Sequence, residues 1–155
     1  MRIAVACDHA GFPLKETILE VVRKAGHEVI DLGTDSTASV DYPDFVEKVG
    51  RAIQGKKADR GIVLCGSGVG AAVAANKMIG IRAGLCHDTY SAHQCVEHDD
   101  VNVLALGARI IGPELAAEIV RAYLAAKFTG EERHVRRLNK ILAIERSEAS
   151  RKQGA

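Results

Sequence analysis

The sequence predicts an α/β fold in which a parallel sheet is covered by helices on both faces. Short runs of β-branched and apolar residues alternate along the chain with longer segments that carry apolar residues at helical spacing. Strands that alternate with helices form βαβ units, and right-handed crossovers then place the strands parallel in one sheet. Aromatic residues account for only 4% of the chain, so Val, Ile, Leu and Ala must fill the core, as is usual between helices and a parallel sheet.

Five strands are expected, and each is a short run of branched or apolar residues. They are predicted over residues 2–7, 27–32, 61–65, 81–86 and 102–106. Gly33 ends the second strand, and the polar residues 34–41 that follow it are typical of a turn.

Six helices are expected to follow these strands. They are predicted over residues 13–25, 43–53, 69–78, 89–97, 113–127 and 131–147. The first carries Leu14, Ile18 and Val22 at helical spacing. Pro43 opens the second, because proline is favoured at the first helical position. Residues 1–147 are therefore expected to form one domain that includes a basic last helix, and the polar residues 148–155 are expected to be a frayed tail.

Composition and charge exclude several classes of protein. A formal net charge of +1 excludes a protein that binds nucleic acid or another polyanion by bulk charge, and leaves a local basic patch open. No apolar run approaches the roughly 20 residues that a membrane span needs, and the N-terminus has no signal-peptide pattern. The four cysteines have no close paired spacing, so we expect free thiols in a reducing cytoplasm.

Polar and titratable residues follow three of the predicted strands. The first strand ends before Asp8 and His9, the third before the glycine-rich residues 66–70, and the fourth before His87 and Asp88. Ligands bind beyond the carboxyl ends of the strands in an open α/β sheet. The sequence therefore predicts an active site at this edge.

The segment Gly66-Ser67-Gly68-Val69-Gly70 is the sharpest of these signals. Three glycines in five residues let backbone N–H groups point into one concavity, and the following helix adds its positive end. Such a loop binds a phosphate or the oxyanion of an enediolate. It matches neither a Walker loop, since no Lys-Ser/Thr pair follows, nor the dinucleotide fingerprint, since the third glycine comes one position early. The alternative is a tight strand-to-helix turn that binds nothing.

Cys65 precedes this segment and is a candidate general base. The positive end of a helix stabilises a thiolate, and the loop amides would supply an oxyanion hole beside it. A cysteine at a strand end is more commonly part of the core. We prefer that interpretation for Cys7 and Cys86.

Histidines offer a proton donor and a possible metal site. His98, just before the fifth strand, is a candidate proton donor because imidazole titrates near neutral pH. A metal site built from His87, His93, Cys95 and His98 is disfavoured, because these spacings fit no familiar zinc pattern. His93 is expected to be a surface or packing residue, as is His27.

The last predicted helix is basic. Arg133 and Arg137 are four residues apart and share a face, which suits a bidentate grip on a phosphate. Arg136 is expected to face solvent. The alternative is a solvated basic helix or a face that binds a partner.

Seven short motifs together resemble the ribose-5-phosphate isomerase B family. They follow the family's order and spacing from Ile3 to about Glu145: Cys7-Asp8-His9-Ala10-Gly11, Asp41-Tyr42-Pro43, Cys65-Gly66-Ser67-Gly68-Val69-Gly70, Ala75-Asn76-Lys77, Gly80-Ile81-Arg82-Ala83, Asp88-Thr89-Tyr90-Ser91-Ala92 and Asn102-Val103-Leu104. The resemblance implies a three-layer αβα, Rossmann-like sandwich with a five-stranded parallel sheet. It also implies a homodimer with active sites at its interface, and leaves open whether dimers pair into tetramers. Members interconvert ribose 5-phosphate and ribulose 5-phosphate in the pentose phosphate pathway without a metal or other cofactor.

The resemblance also implies catalytic roles. Cys65 would move a proton between C1 and C2 through a cis-enediolate. Ser67 and the backbone amides of residues 66–70 would hold the enediolate oxygens. His98 would open the furanose ring by protonating its ring oxygen.

Binding roles follow in the same way. Asp8 would contact sugar hydroxyls beside His9. Arg133 and Arg137 would bind the phosphate, with His9 and Arg109 close by. Some of these side chains would come from the second subunit, which explains a basic helix that extends outward.

Two positions depart from the family pattern. Ser67 stands where some relatives have Thr, a change that keeps the hydroxyl. Asp99, a candidate substrate contact, stands where many relatives have Asn. An ionised carboxylate cannot donate a hydrogen bond, so contacts with the sugar or the titration of His98 can differ.

Three alternative functions stay open at this point. The same chemistry could act on allose 6-phosphate, galactose 6-phosphate or a tetrulose phosphate. The presence of Cys65, His98 and both arginines in one chain argues against a subunit that needs a different partner chain to complete its site. A non-catalytic phosphate- or nucleotide-binding module would need the glycine segment but not Cys65 or His98. A thiol-redox protein would usually contain a Cys-x-x-Cys pair, which this chain lacks.

Overall fold

A fully parallel sheet forms the centre of the fold. The protein is described by a computed structural model over residues 1–151, and its strands are β1 (Arg2–Cys7), β2 (Glu28–Asp31), β3 (Arg60–Cys65), β4 (Ala83–Leu85) and β5 (Val103–Gly107). They pair in the order β2-β1-β3-β5-β4. The predicted five-stranded parallel sheet is therefore confirmed.

Helices cover both faces of this sheet. They are α1 (Phe12–Lys24), α2 (Tyr42–Gln54), α3 (Val69–Ala75), α4 (Thr89–Asp99), α5 (Pro113–Ala125) and α6 (Glu132–Arg151). One face packs against α1, α4 and α5, and the other packs against α2 and α3. This is the three-layer αβα arrangement that the family resemblance implied. No helix within residues 1–151 is both long and apolar enough to span a bilayer.

The central strand β3 contributes to both cores. Ile62 and Leu64 lie in the core beneath α1 and α5, whereas Val63 and Cys65 lie in the core beneath α2 and α3. Successive side chains of a strand point to opposite faces. A strand buried on both faces must therefore be apolar at consecutive positions, and this geometry directs Cys65 toward the α2 and α3 layer.

The segment between α3 and β4 differs most from the prediction. α3 ends at Ala75 rather than near Met78. The Asn76 side chain accepts a hydrogen bond from the Ala83 amide at 2.9 Å and donates one to the Ala83 carbonyl at 3.0 Å. These bonds turn the chain out of the helix, and β4 begins only at Ala83, two residues later than predicted.

α6 extends beyond the predicted boundary at residue 147 and runs to Arg151. The rest of the predicted tail, residues 152–155, lies outside the described residues. The helix packs on α4 through His134, which is its one buried side chain within residues 132–151. Farther along, a Glu145 carboxylate oxygen accepts a hydrogen bond from the Gly80 amide at 2.8 Å.

Tyr123 is the largest fully buried side chain of the described core. Its hydroxyl donates a hydrogen bond to the Gly61 carbonyl at 3.3 Å, and the Arg60 guanidinium lies 5.4 Å from its ring centre. Burial raises the pKa of the phenol well above its ordinary value of 10.0. The folded protein therefore keeps this phenol protonated at a pH where the unfolded chain ionises it.

We predict that Tyr123→Phe removes part of the alkaline loss of stability. Above about pH 10 the unfolded chain binds fewer protons than the folded chain, so the free energy of unfolding falls as the pH rises. Urea unfolding at about pH 8 should show the variant about 1 kcal/mol less stable, because one hydrogen bond is lost. At about pH 11 the difference should shrink by about 1 kcal/mol. The same pH dependence in both proteins would contradict the prediction.

Candidate active site

The loops after β1, β3 and β5 lie side by side at the carboxyl edge of the sheet and form a candidate active site. Parallel pairing places residues 8–11, the glycine loop (residues 66–70) and residues 108–111 next to one another. A Cβ placed on Gly66 would lie 3.6 Å from the Ala10 Cβ and 3.5 Å from the Arg109 Cδ. The structure therefore brings these sequence-predicted residues together.

Asp8 is buried and shapes the first of these loops. Its Oδ1 accepts hydrogen bonds from the amides of Ala10 and Gly11 at 2.9 and 2.8 Å. A side chain on Gly11 would overlap the Leu64 carbonyl, so the close approach of this turn to β3 requires glycine. Because Oδ1 accepts both hydrogen bonds from the turn, Oδ2 is the carboxylate oxygen available to a ligand.

His9 and Tyr42 lie at the same edge. His9 Nδ1 is 3.2 Å from both the amide nitrogen and the carbonyl oxygen of Val40, which leaves Nε2 for a ligand. The Tyr42 phenol packs against Gly70, where a Cβ would lie 2.7 Å from the ring and 3.0 Å from the hydroxyl oxygen. Tyr42 was not among the predicted site residues, although its place in the Asp41-Tyr42-Pro43 motif was a signal for it.

The glycine loop contacts the Cys65 sulfur. Gly68 adopts the left-handed conformation with φ +79°, and its amide donates a hydrogen bond to Cys65 Sγ at 3.1 Å. Such a donor stabilises a thiolate. Ser67 Oγ accepts a hydrogen bond from the Val69 amide at 3.3 Å. Within residues 1–151 no protein group accepts a hydrogen bond from the Ser67 or Gly70 amides, so both are available to a ligand oxygen.

Arg109 brings positive charge to this loop. Its backbone amide donates to the Gly66 carbonyl at 3.0 Å, which fixes the residue beside the loop. A Cβ on Gly66 would lie 3.6 Å from one terminal nitrogen of the guanidinium. The exposed guanidinium can therefore reach an anion bound at the glycine loop.

The other cysteines lie away from the glycine loop, and all four are free thiols, as expected. Cys7 and Cys86 belong to the core, in agreement with the prediction. Burial raises the pKa of the Cys7 thiol to about 11. Cys86 Sγ lies 3.9 Å from Cys95 Sγ, and their hydrogen bond lowers the pKa of Cys86 and raises that of Cys95.

His98 and Asp99 do not lie at the carboxyl edge. The eleven residues of α4 rise by about 16 Å from the end of β4 toward the opposite edge, where β5 begins. His98 and Asp99 occupy the last turn of this helix. α4 also covers the sheet face opposite to that of Cys65. Within one protomer, the structure therefore does not bring His98 or Asp99 to Cys65.

At this opposite edge, where the strands begin and which we call the amino edge, His98 contacts α6. Its ring lies edge to face with that of His134, with 4.0 Å between the ring centres. Arg133 and Arg137 flank the buried His134 on the exposed surface of α6, and Arg136 is exposed as well. We call this second group of predicted site residues the histidine–arginine cluster: His98, Asp99, Arg133 and Arg137.

The four residues weighed as a metal site do not converge. His87 lies at the carboxyl edge, where Nε2 accepts a hydrogen bond from the Gly107 amide. His93 is exposed and lies 3.6 Å from a Glu97 carboxylate oxygen, as expected of a surface residue. No group of three or more metal-ligating side chains lies together within residues 1–151.

Comparisons with known proteins agree with this arrangement. Residues 3–141 match the sequence profile of the Ribose/Galactose Isomerase family. The chain is 48% identical to ribose-5-phosphate isomerase B of Escherichia coli over 144 residues, which cover 93% of the chain and 96% of that protein. It is 46% identical to D-erythrulose-4-phosphate isomerase of Pectobacterium atrosepticum over 131 residues, or 84% of the chain and 86% of that protein.

The solved structures include a close match in fold. Ribose-5-phosphate isomerase B of Clostridium thermocellum superposes with a TM-score of 0.92 at 48% sequence identity. The match covers 96% of this chain and 99% of that one. The similarity therefore extends over the sheet, the helices and the loops of both edges.

We predict that Gly68→Ala destabilises the protein more than Gly80→Ala does. Both glycines have positive φ, 79° and 76°, so either substitution strains the backbone by about 1–2 kcal/mol. A Cβ on Gly68 would also lie 2.8 Å from the Leu106 carbonyl carbon, whereas nothing lies within 4 Å of one on Gly80. Urea unfolding should show an additional loss of about 1–3 kcal/mol for Gly68→Ala. Equal losses would mean that the glycine loop does not pack tightly on β5.

Proposed function

The chain belongs to the ribose/galactose isomerase family, and on that premise we propose that it interconverts D-ribose 5-phosphate and D-ribulose 5-phosphate. The observation that carries the proposal is that the Cys65 sulfur accepts a hydrogen bond from the Gly68 amide and lies beside the available amides of Ser67 and Gly70. A base next to an oxyanion site is what proton transfer between adjacent carbons requires. A relative of nearly equal length named ribose-5-phosphate isomerase B favours this pentose over the hexose phosphates and over a binding module.

In the proposed reaction the open-chain aldose binds with its C1 carbonyl oxygen at the glycine loop. The Cys65 thiolate removes the proton from C2, a C1–C2 double bond forms, and the carbonyl electrons move to O1 to give a cis-enediolate. The proton of the C2 hydroxyl passes to O1, C2 becomes the carbonyl carbon, and the Cys65 thiol returns its proton to C1. The Ser67 hydroxyl and the amides of Ser67 and Gly70 stabilise the negative oxygens. These fixed donors take the place of water molecules that would otherwise have to reorient around the charge.

The remaining side chains bind and open the sugar. Asp8 Oδ2 accepts from a sugar hydroxyl, and His9 Nε2 lies free for a second polar contact. Arg109 contributes one cation to the phosphate site, and Arg133 and Arg137 contribute two more, which suits a dianion. His98 protonates the ring oxygen of the furanose, so that the aldehyde is released.

We propose that a second copy of this chain completes each site. The histidine–arginine cluster and the glycine loop lie at opposite edges of one protomer, so they meet only across an interface. Around the glycine loop, Val69 and Val73 of α3 are 51% and 55% exposed, and Leu85 is exposed beside them. An apolar patch of this kind marks an interaction surface. A twofold axis would pair the loop of each copy with the cluster of the other and so create two identical sites.

The proposed setting follows from the same residues. Residues 1–147 are the proposed catalytic domain, active in the pentose phosphate pathway. Four free cysteines, two of them with sulfurs 3.9 Å apart, fit the reducing cytoplasm.

A tetrulose 4-phosphate is the second candidate substrate, because one relative at 46% identity is named D-erythrulose-4-phosphate isomerase. Asp99 is the position at which the two substrates could be distinguished. Its carboxylate accepts hydrogen bonds but cannot donate one. Comparing kcat/KM for ribose 5-phosphate and D-erythrulose 4-phosphate in wild type and Asp99→Asn tests whether this position selects the sugar.

We predict that Cys65→Ala lowers kcat for ribose 5-phosphate at least about a hundredfold, because the general base is lost. A coupled assay of ribulose 5-phosphate formation in EDTA measures kcat, and the variant should still bind inorganic phosphate about as tightly as the wild type does. Cys95→Ala is the matched control, since it removes a thiol from α4 without changing the glycine loop. Near-normal turnover by Cys65→Ala would refute the thiol mechanism.

We predict that inactive Cys65→Ala and His98→Asn proteins restore activity when they are mixed, unfolded and refolded together. Half of the dimers would then contain one copy of each variant, and one of their two sites would have both substitutions while the other would have neither. The mixture should reach about a quarter of the wild-type activity by this counting. Each variant refolded alone serves as the control. No recovery in a mixture shown to contain mixed dimers would mean that each site lies within one protomer.

A further inference from the structure

We infer that His87 is a positioning residue that holds the glycine loop and Arg109 in place through the end of β5. The inference rests on the proposed function, since the loop is taken to be the catalytic one. His87 follows the short edge strand β4, and its Nε2 lies 2.9 Å from the Gly107 amide nitrogen. An amide N–H can only donate, so Nε2 carries no proton and the imidazole acts as an acceptor.

This bond extends the sheet beyond the last paired residue of β4. The backbone ladder between β4 and β5 ends with Leu85 opposite Ala105, and the Cys86 amide still donates to the Ala105 carbonyl at 3.3 Å. The next backbone amide of β5 that points toward the β4 side is that of Gly107. A buried amide without an acceptor is costly. The His87 side chain supplies the acceptor that a longer β4 would have supplied from its backbone.

Gly107 in turn supports the glycine loop. A Cβ on Gly107 would lie 2.5 Å from the Ser67 carbonyl oxygen, so the two backbones are in direct contact. A Cβ on Gly68 would lie 3.0 Å from the Gly107 nitrogen itself. The nitrogen that His87 holds is therefore one of the β5 backbone atoms against which the glycine loop packs.

The same segment positions Arg109. Gly107 is followed by a turn in which the Ile110 amide donates to the Gly107 carbonyl at 2.9 Å, and the Arg109 amide donates to the Gly66 carbonyl at 3.0 Å. A shift at Gly107 would therefore displace both the loop amides and the guanidinium. Displacements of about 1 Å at a reacting centre cost on the order of a hundredfold in rate, so a partial loosening here should be measurable.

The test compares His87→Leu with His87→Gln. Leucine removes the acceptor, whereas glutamine places an amide oxygen at nearly the reach of Nε2 and can still accept from Gly107. Amide hydrogen exchange at Gly107 reports the bond directly, and kcat/KM for ribose 5-phosphate reports its effect on the site. His27→Leu is the control, since it makes the same change at the amino edge of the sheet, where the N-terminal amine is the one hydrogen-bond partner of the His27 ring within residues 1–151.

In His87→Leu we expect the Gly107 amide to exchange its hydrogen faster than in the wild type, and kcat/KM to fall about tenfold. His87→Gln should restore most of both. Unchanged exchange in His87→Leu, or a glutamine variant as impaired as the leucine variant, would overturn the inference. The two proposals fail separately, because a wild type that does not isomerise ribose 5-phosphate refutes the proposed reaction, while the exchange rates test the His87–Gly107 bond without any turnover. In an active enzyme, an unchanged kcat/KM in His87→Leu would refute the positioning role.

Discussion

The single direction of all five strands is the constraint on which the rest of this structure depends. Because the sheet is fully parallel, every loop from a strand to a helix lies at one edge, and every return from a helix to a strand lies at the other. Residues that close a strand, such as Asp8 and Cys65, share the first edge. His98 closes a helix and must lie at the second. The separation of the two groups is thus a consequence of topology, and no rearrangement of side chains within one protomer could remove it.

Strand order determines which of these loops can cooperate. With β3 between β1 and β5, the glycine loop has Asp8 and His9 on one side and Arg109 on the other. The central strand is buried on both faces, so the loop it carries begins from a strand that is packed between two helical layers. Ser67 and Val69 of the loop are exposed, so the loop is open toward solvent. A buried strand below the loop and open space above it suit a site that must hold donors in place and admit a sugar.

Much of this arrangement could be predicted from the sequence. Periodicity identifies all five strands, and glycines beside Cys65 identify the loop, because both signals are local in the chain. The end of α3 could not be predicted, since Asn76 bonds to Ala83 only after the chain has folded back. The contact of Tyr42 with Gly70 and that of His87 with Gly107 escape for the same reason. Each contact joins residues that are 20 or more apart in sequence, and the residue type of Tyr42 or His87 does not predict which residue it contacts.

The weak attachment of α6 has a thermodynamic consequence for the proposed dimer. His134 is its one buried side chain among residues 132–151, and segments with so few buried contacts open locally at little free-energy cost. Yet this helix carries the two arginines proposed to bind the phosphate. In the proposed dimer, contact with the second copy orders α6 and so favours phosphate binding. Bound phosphate in turn favours the ordered helix and its contact with the second copy. Ligand affinity and subunit affinity become linked quantities, and each must raise the other by the same factor.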